Sequence, residues 1–101
     1  MIIMAMYMLY RSKSRSGKEM DELRAKFEKI YERHKVDIVG FWVNADDEDE
    51  VIYMSKFEDE NDYKTTVEGL RSDDEYLKLT RDLEEVRTSF ESTKLLPMVA
   101  E

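Results

Sequence analysis

Residues 2–10, Ile-Ile-Met-Ala-Met-Tyr-Met-Leu-Tyr, carry no charge in a chain of 101 residues that is 40% charged. One parity of this run holds Ile3, Ala5, Tyr7 and Leu9, and the other holds Met4, Met6, Met8 and Tyr10. A strand with one wet face alternates apolar with polar residues, so a strand apolar on both parities is covered on both faces. The pattern predicts a first strand over 2–10. It assigns Ile3, Ala5, Tyr7 and Leu9 to a helix-packed core, and Met4, Met6, Met8 and Tyr10 to a face that meets a second subunit.

The segment 11–17 reads as a loop rich in Ser and Lys/Arg. From 18 to 35, Met20, Leu23, Phe27, Ile30 and His34 recur in steps of three and four, which predicts a helix with one buried stripe. A second strand is predicted over 36–45, again apolar on both parities, then an acidic turn at 46–50 and a third strand over 51–57. Asp59 or Asn61 caps a short helix over 62–70. Ser72 and Glu75 have the spacing of a capping box, which starts a helix over 73–91 with a stripe of Tyr76, Leu79 or Thr80, Leu83, Val86 and Phe90. A final strand is predicted over 93–99, broken by Pro97. The order β-α-β-β-α-β predicts an α+β fold: a ferredoxin-like unit, with an antiparallel sheet and its helices on one face. The other face would be an exposed apolar patch large enough to mark an interface, and a two-fold homodimer is the simplest cover for it.

Composition narrows the picture further. The length suits a single domain over 1–101. With no cysteine, disulfides and thiolate chemistry are excluded. A net charge of −8 argues against a nucleic-acid partner. The cluster Arg11, Lys13, Arg15, Lys18 reads as a solvated loop. The run Asp46, Asp47, Glu48, Asp49, Glu50 reads as a solvated hairpin tip, because it lacks the glycine and ligand spacing of a calcium loop. No histidine cluster accompanies those carboxylates, so no metal site is expected. The apolar start is shorter than a membrane span and lacks the basic region and cleavage site of a signal peptide. It reads as a strand of a cytoplasmic protein.

Two stretches carry a resemblance. Val39-Gly40-Phe41-Trp42, a charged turn and Val51-Ile52-Tyr53-Met54-Ser55-Lys56-Phe57-Glu58-Asp59 form one. Gly69-Leu70-Arg71-Ser72-Asp73-Asp74-Glu75-Tyr76, a helix and Ser92-Thr93-Lys94-Leu95-Leu96-Pro97 form the other. Together they resemble the NIPSNAP family of the dimeric α/β-barrel superfamily, across nearly the whole chain. The resemblance implies two ferredoxin-like units whose sheets face each other to form a barrel. Where that family often reads Tyr-Glu-Leu-Arg in its first strand, this chain reads Tyr7-Met8-Leu9-Tyr10. The superfamily includes cofactor-free monooxygenases, haem-degrading oxygenases and small isomerases. The haem-degrading pattern calls for Asn on the first strand and His in the second helical region. This chain has Met4, Met6 and Met8 in the first place and no His between 61 and 91, so no cofactor is expected.

His34, the single histidine, is the candidate catalytic group, since histidine is the side-chain type suited to general acid–base work near neutral pH. Its place in the last basic turn of a helix favours a role in stabilising that helix end. Trp42 and Tyr53 are candidates to stack on a flat ligand, with interface anchoring the stronger reading. Asn44 and Tyr10 are candidates to orient a polar group. Two functions follow: a binding or interaction module for an apolar or aromatic small molecule, and a cofactor-independent monooxygenase or isomerase acting on an aromatic or polyketide-like substrate. An enzyme needs a cavity of a few hundred Å³ where apolar walls meet polar groups; a module that only builds a dimer needs none.

Overall fold

The structure, a computed structural model, describes residues 5–99. It comprises β1 (Met6–Ser14), α1 (Gly17–Arg33), β2 (Asp37–Asn44), β3 (Asp47–Phe57), α2 (Glu60–Arg71), α3 (Asp74–Val86) and β4 (Arg87–Leu95). The sheet order is β2-β3-β1-β4, with every pair antiparallel. This is the ferredoxin-like order, with a short extra helix before the last one. The expected positions of Ile2, Ile3 and Met4 lie outside the described residues.

β1 is one of the two inner strands, and its faces are opposite to those expected. Met6, Met8, Ser12 and Ser14 are buried. Met6 and Met8 pack with Phe57, against partly buried Tyr10 and Tyr63. The even positions therefore face the helices, and Tyr7 and Leu9 lie on the outer face. Composition could not decide between two apolar parities. The decision comes from the residues after 10, where burial falls on Ser12 and Ser14 while Arg11 and Lys13 stay in water. The expected loop at 11–17 is thus mostly strand. Arg11 pairs with Glu50 at 2.9 Å and Lys13 with Asp47 at 2.7 Å, so cross-strand charge pairs hold the basic segment in the ladder.

The acidic run is likewise not a tip. The turn is confined to Ala45 and Asp46, and Asp47–Glu50 belong to β3. The Asn44 side-chain oxygen accepts from the Asp46 amide at 2.9 Å, a local bond that shapes the turn. Asp49 also anchors the start of α1, where its carboxylate accepts from the Gly17 amide at 2.9 Å. There the helix approaches β3 so closely that a Cβ on Gly17 would sit 2.8 Å from the Glu48 carbonyl oxygen. β2 has its own irregularity. Ile38 pairs with Ser55 and Gly40 with Met54, leaving Val39 as a bulge. The bulge lets Ile38 and Phe41 both face inward, which explains why this strand reads as apolar on both parities.

α1 begins at Ser16, whose hydroxyl accepts from the Glu19 amide. It ends in a Schellman motif, with Val36 N–H donating to the Tyr31 carbonyl and Lys35 N–H to Glu32. Lys35 occupies the left-handed position at φ 57°, where glycine is usual. α2 is capped by Asp59. The expected capping box does not form. Asp73 caps α3 by accepting from the amides of Glu75 and Tyr76, while Ser72 closes α2 with its hydroxyl on the Glu68 carbonyl. α3 stops at Val86, five residues before the expected end at 91, because Arg15 N–H takes the Val86 carbonyl at 2.9 Å and draws the chain into the sheet. Phe90 is therefore a strand residue. β4 ends at Leu95, before Pro97, rather than running to Val99.

The core is divided. Met20, Phe27 and Ile30 of α1 join Leu70 of α2 and Leu79, Leu83 and Val86 of α3 in one cluster; Met6, Met8 and Phe57 form another on the sheet. Among the described residues no helix is long and apolar enough to cross a membrane.

Lys35 supplies a test of the helix stop. A side chain in the left-handed region costs about 1–2 kcal/mol relative to glycine, partly offset by the extra freedom of glycine when unfolded. Lys35→Gly should raise stability by up to about 1 kcal/mol in urea unfolding, and Lys35→Val should lower it. A marked loss in the glycine variant would show that the Lys35 side chain, not its backbone, ends the helix.

Candidate functional site

Between the two clusters lies a cavity of about 460 Å³. Met8, Tyr10, Tyr53 and Phe57 line it from the sheet, and Phe27, Tyr31, Leu70, Tyr76 and Leu83 from the helices. Its floor carries a row of rings crossing all four strands. Phe41 of β2 stacks on Tyr53 of β3 at 4.9 Å, Tyr53 on Tyr10 of β1 at 4.8 Å, and Tyr10 on Phe90 of β4 at 6.0 Å. Register makes the row: Phe41 pairs with Tyr53 and Tyr53 with Tyr10. Ring spacings near the interstrand distance mean that the rings stand on the sheet side by side, so they turn edges and hydroxyls toward the cavity.

Polar groups converge on the same space. Arg87, at the start of β4, donates from Nε to the Ser12 hydroxyl at 3.0 Å, and its guanidinium lies 4.1 Å from the Phe90 ring centre. Ser55 is 2% exposed, lines the cavity, and its hydroxyl has no hydrogen-bond partner among the described residues. Such a group is costly to leave unpaired and invites a ligand or water. Burial pushes the Tyr10 phenol up to about 12, opposed by the nearby Ser55 hydroxyl although the two make no well-aligned bond. Burial also pushes Tyr53 up to about 12 against the pull of the Arg87 cation, and raises Tyr31 well above the ordinary value.

The five sequence candidates separate. Tyr10 and Tyr53 meet in the cavity, in direct stacking contact. His34 lines neither that cavity nor the smaller one described below. It closes the end of α1, and its Nε2 lies 2.7 Å from the Asp73 carboxylate, which also accepts from Arg33 at 2.6 Å. Arg33, then His34, hold the Asp73 carboxyl well below the usual carboxylate range. This cluster joins the end of α1 to the start of α3. Trp42 is 50% exposed and is paired with Ile52, which alternation places on the outer face of the sheet. Its ring lies back over Gly40, where a Cβ would come within 2.7 Å of it. Trp42 also borders a second pocket of about 210 Å³ with Phe41 and Arg24 at the β2 edge. Asn44 serves the hairpin, donating to Glu50 at 2.9 Å.

Sequence reasoning missed Arg87, Ser55, Ser12 and Phe90. Placing Arg87 and Phe90 inside a helix concealed both. The available signal was the Thr88-Ser89 pair, which favours strand over helix less strongly than the apolar spacing opposed it. Among the described residues no cluster of His, Asp and Glu could hold a metal ion.

No family model matches the chain, and no curated protein does. Solved structures do. A NIPSNAP family protein from Agrobacterium tumefaciens superposes with a TM-score of 0.79 at 20% identity, covering 93% of each chain. The fold is NIPSNAP-like. A second NIPSNAP family protein from the same organism, described as of unknown function, matches at 0.77 and 15% identity over 94% of this chain and 89% of that one. A cofactor-independent oxygenase from Streptomyces nogalater matches at 0.75 and 10% identity, over 95% of each. At these identities the likeness concerns the fold, in which the ferredoxin-like order found here is shared.

The buried phenols make stability depend on alkaline pH. Tyr10 and Tyr53 are held protonated in the folded chain, so their contribution is complete below about pH 10, the ordinary tyrosine value. It is lost as pH rises from there through about 12, where they ionise in the fold. Urea midpoints should fall across that interval, and Tyr10→Phe with Tyr53→Phe should flatten the fall. An unchanged slope in the double variant would mean that other groups cause it.

Proposed function

We propose that this protein is a homodimeric, cytoplasmic module that binds an apolar or aromatic small molecule in the cavity between its sheet and helices. The cavity itself carries the reading. At about 460 Å³ it lies within the size range of small-ligand pockets, and it combines apolar walls with a few convergent polar groups. The neighbours described as NIPSNAP family proteins include one of unknown function, so they supply no competing activity.

Support for binding over catalysis comes from the lining. A monooxygenase or isomerase built on His34, Trp42, Asn44 and Tyr53 would draw those groups to one point, and Tyr53 alone of the four lines the main cavity. No histidine or carboxylate is among its lining residues, and Tyr10 and Tyr53 resist ionisation at neutral pH. The general base of such a reaction would have to come from elsewhere.

Support for the homodimer comes from the outer sheet face. Leu9 pairs with Met54, and Trp42 with Ile52, so a patch of apolar side chains faces away from the chain's helices. Water is a poor neighbour for such a patch, and a second copy would cover it. A protein described as a dimeric ferredoxin-like protein, from an uncultured marine organism, shares the fold at a TM-score of 0.76.

The neutral dye Nile red should bind the protein with a blue-shifted emission, and Val67→Trp, which fills the cavity from α2, should abolish the signal without loss of fold. Native mass spectrometry should show a co-purified small molecule that the same variant lacks. Dye binding that survives the filled cavity, or no binding at all, would overturn the reading. For the assembly, sedimentation should give a dimer at micromolar concentration and a folded monomer for Trp42→Asp; a monomeric parent protein would refute the interface.

A further inference from the structure

We infer that the cavity ligand is an organic anion, a carboxylate on an apolar or aromatic body, with its acidic head at Arg87. This rests on the cavity being a ligand site and adds the charge of the ligand to it.

The first observation is the sign of the lining. The chain carries a net charge of −8, and acids outnumber bases by 24 to 16. The charged groups lining the cavity are nevertheless all arginines, Arg24, Arg71 and Arg87, with no Asp or Glu among them. Arg24 is neutralised on its own helix by Asp21 at 2.8 Å and Glu28 at 2.6 Å. Arg71 has no carboxylate partner among the described residues either, but it is exposed at the end of α2. Arg87 is half-buried and likewise has no carboxylate partner among the described residues. It is held instead by the Ser12 hydroxyl and the Phe90 ring, which aim a guanidinium without cancelling its charge. A partly buried cation without a counterion is held at an energetic cost that an anion entering the cavity would relieve.

The second observation is the floor. Rings standing edge-up present the positive rim of their quadrupole, and Tyr10 and Tyr53 add hydroxyl donors that remain protonated at neutral pH. Arg87 and Tyr53 line the same cavity, and the Arg87 cation opposes the upward push that burial gives the Tyr53 phenol. A guanidinium fork beside a phenol O–H suits a carboxylate, which accepts from both. The third is Ser55. It lies two rows along the sheet from Ser12, since Met8 pairs with Ser55, Tyr10 with Tyr53, and Ser12 with Val51. That separation is about 13 Å at the usual strand rise. Its orphan hydroxyl, near the Tyr10 phenol, marks the end of the cavity away from Ser12.

The test uses 2-naphthoate and its neutral analogue 2-naphthamide, titrated into the full-length protein by calorimetry at low and high salt. The parent protein should bind the acid at least about tenfold more tightly than the amide, as expected of a hydrogen-bonded charge. Added salt should narrow that gap. Arg87→Gln should bring the acid down to the level of the amide and leave the amide unchanged, while Arg87→Lys should keep part of the preference. Equal affinities in the parent protein, or an equal loss of both ligands in Arg87→Gln, would overturn the anion inference and leave the cavity as a binding site for neutral molecules. The comparison within the parent protein decides the matter even if Arg87→Gln does not fold. No binding of either compound would overturn the inference together with the ligand-binding reading beneath it.

Discussion

The register of one strand organises this protein. β1 lies between β3 and β4, and its even positions face the helices. Met6 and Met8 seed the sheet cluster with Phe57, Tyr10 takes its place in the row of rings, Ser12 holds Arg87, and the Ser14 hydroxyl bonds the Ser16 carbonyl beside the start of α1. Slipping this strand by one residue would bring Tyr7, Leu9, Arg11 and Lys13 inward and bury two cations. The pairs from Arg11 to Glu50 and from Lys13 to Asp47 oppose that slip from the outer face. Such exposed pairs add little stability individually, and their value here is in specifying which face is which.

The cavity follows from how the helices are held. α1 and α3 pack mainly against each other, through Phe27, Ile30, Leu79 and Leu83, while the sheet collects its own smaller cluster at Met6, Met8 and Phe57. Two contacts keep the helix layer in place: Gly17 pressed against the β3 backbone at one end of α1, and Val86 bonded to Arg15 where α3 meets the sheet. Side chains from both layers reach into the space between without filling it. Close packing is the rule in protein interiors, and this space departs from it where it is bordered by an unpaired serine and by an arginine without a carboxylate partner among the described residues.

Electrostatics separates surface from interior. Part of the acidity is taken up in pairs with Arg11, Lys13, Arg15, Arg24 and Arg33, and Asp73 is occupied by Arg33 and His34. The cavity is left with positive charge and phenols. Met8 and Tyr10, which the sequence pattern assigns to a face meeting a second subunit, both line this cavity. In the fold they set a thioether and a phenol into its wall.

The order of elements is legible along the chain because it rests on local periodicity: the stripe Met20, Phe27, Ile30 in α1, the stripe Tyr76, Leu79, Leu83 in α3, and the apolar runs of the strands. That order specifies a ferredoxin-like fold and, with its recurrent motifs, a NIPSNAP-like one. Tyr10 and Tyr53 are also recognisable as candidates, since an aromatic on a central strand has few places to go. Periodicity carries no information about which of two apolar faces turns inward, or about where a helix yields to a strand. Those outcomes depend on partners distant in sequence: Ser12 meeting Arg87, Arg15 meeting Val86, Asp49 meeting Gly17. The cavity, the row of rings and the uncompensated Arg87 are therefore properties of the tertiary structure, because each exists only once four strands have chosen a common register.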